Sequence, residues 1–244
     1  MRKNIKKKNN RKETIERLKT EFVSLAAHQL RTPLSAIKWI LRILLDNDTE
    51  KLTKQQIELL EMAYQSNERM IILINDLLDV TQIEEGRFLF KKKQASLNKI
   101  IEDNIAKHKK LIKSKKINIL FQEPKKDTPE IKIDTEKINL VIEHILENAI
   151  RYTPEDGEII VSIACDGKHI KTTIKDSGIG IPKEQQKRVF EKFFRADNAI
   201  KTETEGTGLG LFICKNIIEA HNGKIWFKSK KGKGTTFWFT LPIK

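Results

Sequence analysis

Residues 206–210 read Gly-Thr-Gly-Leu-Gly and lead into Leu209–His221, a segment whose apolar pattern predicts a helix. Glycines let bare backbone N–H groups approach an anion, and the N-terminus of a helix adds about half a positive charge. The stretch therefore indicates a phosphate-binding turn at the start of a helix. A glycine-rich turn in this position is also common as a purely structural feature, so other elements must decide between the two.

Two further elements lie upstream of this turn. Residues 176–180, Asp-Ser-Gly-Ile-Gly, follow a predicted strand, where the carboxylate suits an exocyclic amine and the glycines suit a flat ring. The simpler alternative is an Asx-type turn. Asn148 stands on a predicted helix with Arg151 and Tyr152 on nearly the same side, and an amide oxygen suits Mg²⁺, although a structural Asn is an alternative. No GxxxxGK[ST] sequence occurs, which excludes a P-loop.

Residues 14–85 predict two long helices separated at residues 47–49. Thr53 and Gln56 form a capping box at the start of the second helix, and Gly86 is a C-terminal stop. Both helices carry apolar seams with heptad spacing, at residues 30, 34, 37, 41 and 44 and at residues 57, 60, 64, 67, 71, 74 and 78. A two-helix hairpin cannot enclose so wide an apolar face, so the pattern predicts a homodimeric four-helix bundle.

After Gly86 the periodicity changes to short strands alternating with helices. Helices on one face of a mixed sheet make an α/β sandwich, so the fold class is α followed by α/β. The predicted strands are Phe88–Phe90, Ile117–Phe121, Ile131–Ile133, Glu158–Cys165, His169–Lys175, Lys224–Lys228 and Thr235–Thr240, and the predicted helices are Leu97–Lys113, Glu136–Tyr152 and Leu209–His221, with a loop at Pro182–Gly208.

The net charge of +14 is concentrated at the start of the chain, where residues 1–19 hold nine Lys or Arg against Glu13 and Glu16. Such a run is usually a solvated tail, and the alternative is contact with anionic lipid. Nucleic acid is not expected, because no aromatic residue is interleaved for base stacking. No apolar run reaches 18 residues. Cys165 and Cys214 lie far apart in the sequence, and a reducing cytoplasm is the default expectation.

Taken together and in order, the motifs resemble those of histidine kinases. Residues 147–152, 176–180, 190–195 and 206–210 resemble the N, G1, F and G2 boxes of that family. Residues 28–34, His-Gln-Leu-Arg-Thr-Pro-Leu, resemble its phosphoacceptor box. The resemblance extends from Phe22 to Pro242. It implies a dimerisation and histidine phosphotransfer domain followed by a Bergerat-type ATP-binding domain.

The resemblance also implies roles for individual residues. ATP with Mg²⁺ would phosphorylate His28, and the phosphoryl group would pass to an aspartate in the receiver domain of a response regulator. Residues 183–205 would form a mobile lid over the nucleotide. In the implied nucleotide site, Asn148 would bind Mg²⁺, and Asp176 would bind the adenine amine with Gly178 and Gly180 beside it. The residues that would contact the phosphates are Arg151, Tyr152 and Arg195. The turn that would wrap the phosphates consists of Gly206, Thr207, Gly208, Leu209 and Gly210.

The acceptor motif has a geometry of its own and one departure from the family pattern. At about 100° per residue, His28 points away from the apolar seam, with Thr32 one turn along on the same face. Gln29 stands where the family usually has an acidic residue. A protein acting mainly as a response-regulator phosphatase, or a weakly active dimeric scaffold, is therefore the alternative to an active kinase. His144 replaces another common Asn, and either metal support or plain packing would explain it.

These expectations define three segments. Residues 1–21 form a basic tail and signalling helix, residues 22–88 the phosphotransfer domain, and residues 89–244 the ATP-binding domain. A homodimer, a response regulator and a cytoplasmic location are expected. Contact with a membrane is expected only through a sensor portion outside this sequence or through the basic tail.

Overall fold

The computed structural model describes residues 26–27, 29–45, 52–86, 89–122, 128–203 and 206–243. The chain divides into two compact units, Met1–Phe88 and Leu89–Lys244. The predicted tail at residues 1–21, the phosphoacceptor His28 and the predicted break at residues 47–49 lie outside the described residues. No helix in the described part of the chain is both long enough and apolar enough to cross a bilayer.

The first unit contains a helix over residues 29–45, called α1, and a second helix, α2, over Lys54–Glu84. The predicted capping box is confirmed, because Thr53 accepts a hydrogen bond from the Gln56 N–H and the Gln56 side chain accepts one from the Thr53 N–H. Gly86 follows α2 with a φ of +65°, as expected for a residue that ends a helix. The buried residues that join the two helices are Ala27, Leu34, Ile74 and Leu78, with Ile71 partly buried beside them.

One buried hydrogen bond connects the two helices within this apolar seam. The Asn67 side chain, only 1% exposed, donates from Nδ2 to the Leu34 carbonyl oxygen at 2.9 Å. A buried amide that loses its partner costs about 1–3 kcal/mol, so the bond favours a single register between α1 and α2. Outside the seam, Lys38 and Glu68 form an ion pair of 2.8 Å, and Arg31 donates to the Asn75 side chain.

The second unit is built on a five-stranded mixed sheet, which confirms the predicted fold class. Its strand order is β2-β4-β5-β7-β6, with β2 parallel to β4 and the other pairs antiparallel. A separate antiparallel pair joins β1 to β3. The strands are β1 Lys93–Ala95, β2 Asn118–Gln122, β3 Ile131–Ile133, β4 Glu158–Cys165, β5 His169–Asp176, β6 Lys224–Lys230 and β7 Gly234–Pro242.

Five α-helices accompany this sheet in the described part of the second unit. They are α3 Leu97–Lys107, α4 Lys109–Ser114, α5 Thr135–Tyr152, α6 Asp197–Thr202 and α7 Gly210–Ala220. In β5, Ile170, Thr172 and Ile174 are buried while Lys171 and Lys175 are exposed. This alternation indicates that one face of the sheet is covered and the other faces solvent. The helix α5 contributes the largest buried face, from Ile138, Val141, Ile142, Ile145, Leu146, Ala149 and Ile150.

Three predictions for the second unit are wrong in detail. Residues 89–90 of the strand expected at Phe88–Phe90 are not in a strand. The first strand is instead the polar segment Lys93–Ala95, which pairs with the buried Ile131 and Ile133 of β3. The helix expected over Leu97–Lys113 is interrupted at His108, whose ring Nδ1 contacts the Asn104 carbonyl. The loop expected at Pro182–Gly208 contains a 3₁₀ turn, Lys183–Arg188, and α6.

Candidate functional site

The last turn of α5 carries three of the predicted site residues. Asn148, Arg151 and Tyr152 are half-buried, whereas Ala149 and Ile150 between them are buried in the core. The amphipathic pattern of the helix therefore leaves the three polar side chains at the edge of the core. A half-buried amide and guanidinium at a helix end are suited to a polar ligand that reaches the surface.

Asp176 is the last residue of β5 and is buried to 7% exposure. Its Oδ1 accepts hydrogen bonds from the backbone N–H groups of Gly178, at 2.8 Å, and Thr235, at 3.0 Å. Burial raises the pKa of this carboxyl to about 6, against the opposing effect of those two hydrogen bonds. A carboxylate can accept about four hydrogen bonds, so Asp176 can receive a further donor from a ligand.

The loop after β5 lies directly against the end of α5. A Cβ on Gly178 would come within 2.5 Å of the Tyr152 carbonyl oxygen and 2.8 Å of Asp176 Oδ1. The Ile179 N–H donates to the same Tyr152 carbonyl at 3.2 Å. Only a residue without a side chain fits here, so the glycine keeps the Asp176 loop and the Asn148 helix in contact.

Gly180 is required for a different, structural reason. Its φ is +61°, and a Cβ would come within 2.1 Å of the carbonyl oxygen of Lys230, the last residue of β6. Any side chain would therefore clash with backbone. This glycine positions the loop rather than exposing backbone to a ligand.

The predicted phosphate-binding turn packs against residues 193–195. Gly208 has a φ of +67°, and a Cβ there would lie 2.7 Å from the Phe193 carbonyl carbon. A Cβ on Gly206 would lie 3.2 Å from the central carbon of the Arg195 guanidinium. The Arg195 side chain also donates to the Glu203 carbonyl oxygen. The structure therefore brings Arg195 beside the turn, as the sequence predicts.

The other end of the turn begins α7 and contacts α5. The Thr207 hydroxyl accepts a hydrogen bond from the Leu209 N–H at 3.1 Å, which shapes the turn, and the Leu209 side chain is fully buried. A Cβ on Gly210 would come within 3.0 Å of Nδ1 of His144, which lies one turn before Asn148 on α5. His144 therefore packs against the N-terminus of α7 and brings it close to the helix that carries Asn148.

Sequence reasoning missed Lys115. Its ammonium donates to the carbonyl oxygens of Ile150 at 2.8 Å, Arg151 at 3.0 Å and Thr153 at 2.8 Å. Burial lowers the pKa of this lysine. A cation at a helix C-terminus offsets the partial negative charge of the free carbonyls. Lys115 has no sequence signature, because its partners lie 35 to 38 residues away.

The predicted lid also has fixed points. Asn198 of α6 donates to the Gly180 carbonyl oxygen at 2.7 Å, and Gln186 donates to the Ile181 and Ser229 carbonyls at 2.9 and 3.1 Å. The described part of residues 183–205 is therefore tied to the loop after β5. Residues 204–205 lie outside the described residues.

The predicted acceptor residues belong to the first unit. Gln29 and Thr32 are exposed on α1, and His28 between Ala27 and Gln29 lies outside the described residues. The acceptor residues thus belong to one compact unit and the predicted nucleotide-site residues to the other.

Two family comparisons match this division of the chain. Residues 18–86 match the family described as the His Kinase A (phospho-acceptor) domain. Residues 133–244 match the family described as the histidine kinase-, DNA gyrase B-, and HSP90-like ATPase. The first match includes residues 28–34, and the second includes every predicted nucleotide-site residue.

Curated relatives match over nearly the whole chain. The sensor histidine kinase WalK of Bacillus subtilis is 34% identical over 234 residues, which is 95% of this chain and 38% of that protein. The sensor protein kinase WalK of Staphylococcus aureus is 34% identical over 232 residues, covering 93% of this chain and 54% of that protein. The chain thus spans about half or less of the length of these relatives.

Solved structures show the same architecture. Full-length ShkA, crystallised with AMPPNP, aligns with a TM-score of 0.72 at 24% identity, covering 91% of this chain and 45% of that one. The catalytic domain of the histidine kinase ThkA aligns with a TM-score of 0.56 at 28% identity, covering 63% of this chain and 99% of that one. With both domain families matched in order, the chain belongs to the sensor histidine kinases and contains their catalytic core.

Proposed function

We propose that the chain is an ATP-dependent protein-histidine kinase that phosphorylates its own His28 and passes the phosphoryl group to an aspartate of a response regulator. The observation that carries the proposal is the meeting of three separated segments: the end of α5, the loop after β5 and the turn before α7. Each supplies one part of a nucleotide site.

The purine would lie at the loop after β5. Asp176 would accept a hydrogen bond from the adenine amine, and Gly178 keeps this loop against the end of α5, where no side chain fits. Asp176 Oδ1 is fixed by two backbone N–H groups, so the carboxylate is held in place before any ligand binds. Such preorganisation lowers the entropic cost of binding.

The phosphates would lie between α5 and the turn at Gly206–Gly210. The N-terminus of α7 supplies free N–H groups and the positive end of a helix dipole. Arg195 stands beside Gly206, and Arg151 and Tyr152 lie at the end of α5. Mg²⁺ fits the half-buried Asn148 amide oxygen, since this ion takes one or two protein oxygens together with phosphate and water. When bound, it would neutralise charge on the phosphates.

The chemistry requires little more than positioning. An imidazole nitrogen of His28 attacks the γ-phosphorus in line, the bond between γ-phosphorus and the bridging oxygen breaks, and ADP leaves. Gln29 retains an acceptor oxygen that can orient the ring but carries no charge. Thr32, exposed one turn further along α1, would orient the water that hydrolyses the phosphoaspartate of the regulator. The relatives are named as kinases, so the phosphatase or scaffold alternative carries less weight.

We also propose a homodimer through the first unit, with residues 1–21 as a basic leading segment, 22–88 as the phosphotransfer domain and 89–244 as the ATP-binding domain. Twelve of the eighteen exposed large apolar residues in the described chain lie on α1 and α2, among them Leu30, Ile37 and Leu44 of the seam. A second hairpin would cover this surface. The receiver domain of a response regulator is the second proposed partner, and the cytoplasm the proposed location.

The dimer gives the first prediction. Replacing Leu30 and Leu44 together by Gln removes apolar surface that a partner hairpin would bury, so the variant should shift toward monomer. Sedimentation equilibrium at micromolar concentration measures the change. The matched control is Leu120→Gln on the exposed face of β2, which should remain dimeric. A monomeric wild type would contradict the proposal.

A second prediction concerns Asn148. Asn148→Ala should reduce the affinity for Mg-ATP by about 5- to 150-fold, the equivalent of about 1–3 kcal/mol for lost interactions with a buried ligand group. Titration calorimetry with and without Mg²⁺ measures it. Asn216→Ala on α7 is the control, because that side chain donates to the Phe212 carbonyl oxygen one turn back at 2.8 Å. Normal Mg-ATP affinity in folded Asn148→Ala would contradict the assignment.

A third prediction follows from the raised pKa of Asp176. A raised folded-state pKa favours the protonated form, so this group's contribution to stability is complete below about pH 4 and is lost as the pH rises through about 6. The free energy of unfolding of wild type minus that of Asp176→Asn should therefore fall between about pH 4 and 6 and stay level above. Urea unfolding at several pH values measures this difference.

The control is the carboxyl of Asp166, whose contribution to stability should change with pH in the opposite direction. Backbone hydrogen bonds from His169 and Lys168 lower the pKa of the exposed Asp166 carboxyl. Its contribution is present above the unfolded-state pKa and is lost as the pH falls through the lowered value. A pH-independent difference for Asp176→Asn would show that burial does not hold this carboxyl in its protonated form.

The fourth prediction concerns the acceptor helix. General-base assistance typically contributes about 10²–10⁴ in rate, so Gln29→Glu should speed phosphorylation of His28 by roughly tenfold or more with little change in ATP affinity. Thr32→Ala should leave that rate intact and slow dephosphorylation of the regulator. Transfer of labelled phosphate at saturating Mg-ATP measures both. Equal rates for wild type and Gln29→Glu would assign Gln29 to regulator contact instead.

A further inference from the structure

A histidine and two glutamates converge where α3 meets α5, apart from the residues assigned to the nucleotide. His108, between α3 and α4, is about nine-tenths buried. Its Nδ1 lies 2.8 Å from the Asn104 carbonyl oxygen, which accepts a hydrogen bond only if Nδ1 carries the proton. In the neutral ring the lone pair is therefore on Nε2. That atom faces Glu147 Oε1 at 3.5 Å.

Glu143 completes the group from the preceding turn of α5. Residues four apart on a helix lie on the same face, so Glu143 and Glu147 both approach His108. One donor atom from each of the three residues lies within 4.8 Å of the other two. A tetrahedral ion with bonds of about 2.0–2.2 Å needs ligand atoms about 3.4 Å apart. The pair His108–Glu147 already has that spacing at 3.5 Å, and Glu143, within 4.8 Å of both, would have to move closer on binding.

The simpler explanation is a polar seam between the two helices. Asn104 donates to the Asn139 side chain at 2.8 Å, and Lys107 pairs with Glu143. In that reading His108 is protonated and pairs with Glu147, and nothing else binds. The two explanations differ in the role of Glu143, which is part of the ion site in one and only a partner of Lys107 in the other.

We propose that His108, Glu143 and Glu147 bind a divalent ion of the Zn²⁺ class. A set of one imidazole and two carboxylates suits Zn²⁺, whereas Mg²⁺ and Ca²⁺ prefer oxygen ligands alone. The bond from Nδ1 to a backbone carbonyl is the support that metal-binding histidines usually have. Three protein ligands leave the fourth position to water. The ion would connect the α3–α4 junction to α5, the helix that carries Asn148.

The test is Zn²⁺ binding to the full, untagged chain without nucleotide. Wild type should bind one equivalent per chain by calorimetry, and Co²⁺ should give the intense visible absorption of a tetrahedral site. Glu143→Gln preserves the His108–Glu147 pair but removes one ligand, so its affinity should fall at least about tenfold. Lys107→Met removes the ammonium that competes for Glu143. Because the Lys107 side chain is 59% exposed, this variant should fold and bind more tightly.

Two controls separate the site from incidental binding. His169→Ala, at an exposed histidine near Asp166, should leave the affinity unchanged. At the same Zn²⁺ concentration, the unfolding temperature should rise in wild type and rise less in Glu143→Gln, because a ligand stabilises the folded state by an amount that grows with the logarithm of its concentration relative to its Kd. Absence of saturable binding, equal affinity in Glu143→Gln, or weaker binding in Lys107→Met would each overturn the proposal.

Discussion

The proposed nucleotide site depends on how the C-terminal end of α5 is held. Free carbonyls at a helix end need donors, and Lys115 supplies one ammonium to three of them. On the other side, the loop after β5 uses the Tyr152 carbonyl for the Ile179 N–H. With both contacts made, the last turn of α5 has a fixed position relative to Asp176. The position of this turn fixes the positions of Asn148, Arg151 and Tyr152.

The site is also divided electrostatically. At one end a buried carboxylate has a raised pKa, which makes it a receptive partner for a neutral amine. At the other end, Arg195 lies beside Gly206 and the same turn leads to the N-terminus of α7, whose helix dipole favours anions. ATP has the same division, with a neutral base and a highly charged phosphate chain. The arrangement of charge therefore favours one orientation of the nucleotide.

Much of the fold was predictable from the sequence because it rests on local patterns. The capping box at Thr53 and the strands β4 and β5 are encoded over a few residues, and all are found. Two misses came from long-range effects. Strand β1 is polar and exists because β3 pairs with it, and the carbonyl partners of Lys115 lie 35 to 38 residues away. The helix break at His108 is local, since the ring contacts the Asn104 carbonyl four residues earlier. Gly180 was predicted to suit a flat ring, whereas the structure places the Lys230 carbonyl, at the end of β6, where a Cβ would lie.

The hydrogen bond from Asn67 to Leu34 has a consequence for protein engineering. An apolar seam alone tolerates sliding by a heptad, since one leucine resembles the next, whereas a single buried amide makes the alignment of the two helices unique. Asn67 is therefore a reference point for building chimeric sensors. Residues exchanged or inserted before Thr53 leave its distance along α2 to Ile74 and Leu78 unchanged. A one-residue deletion between Asn67 and Ile74 would rotate the amide about 100° away from that core and separate the two halves of the seam.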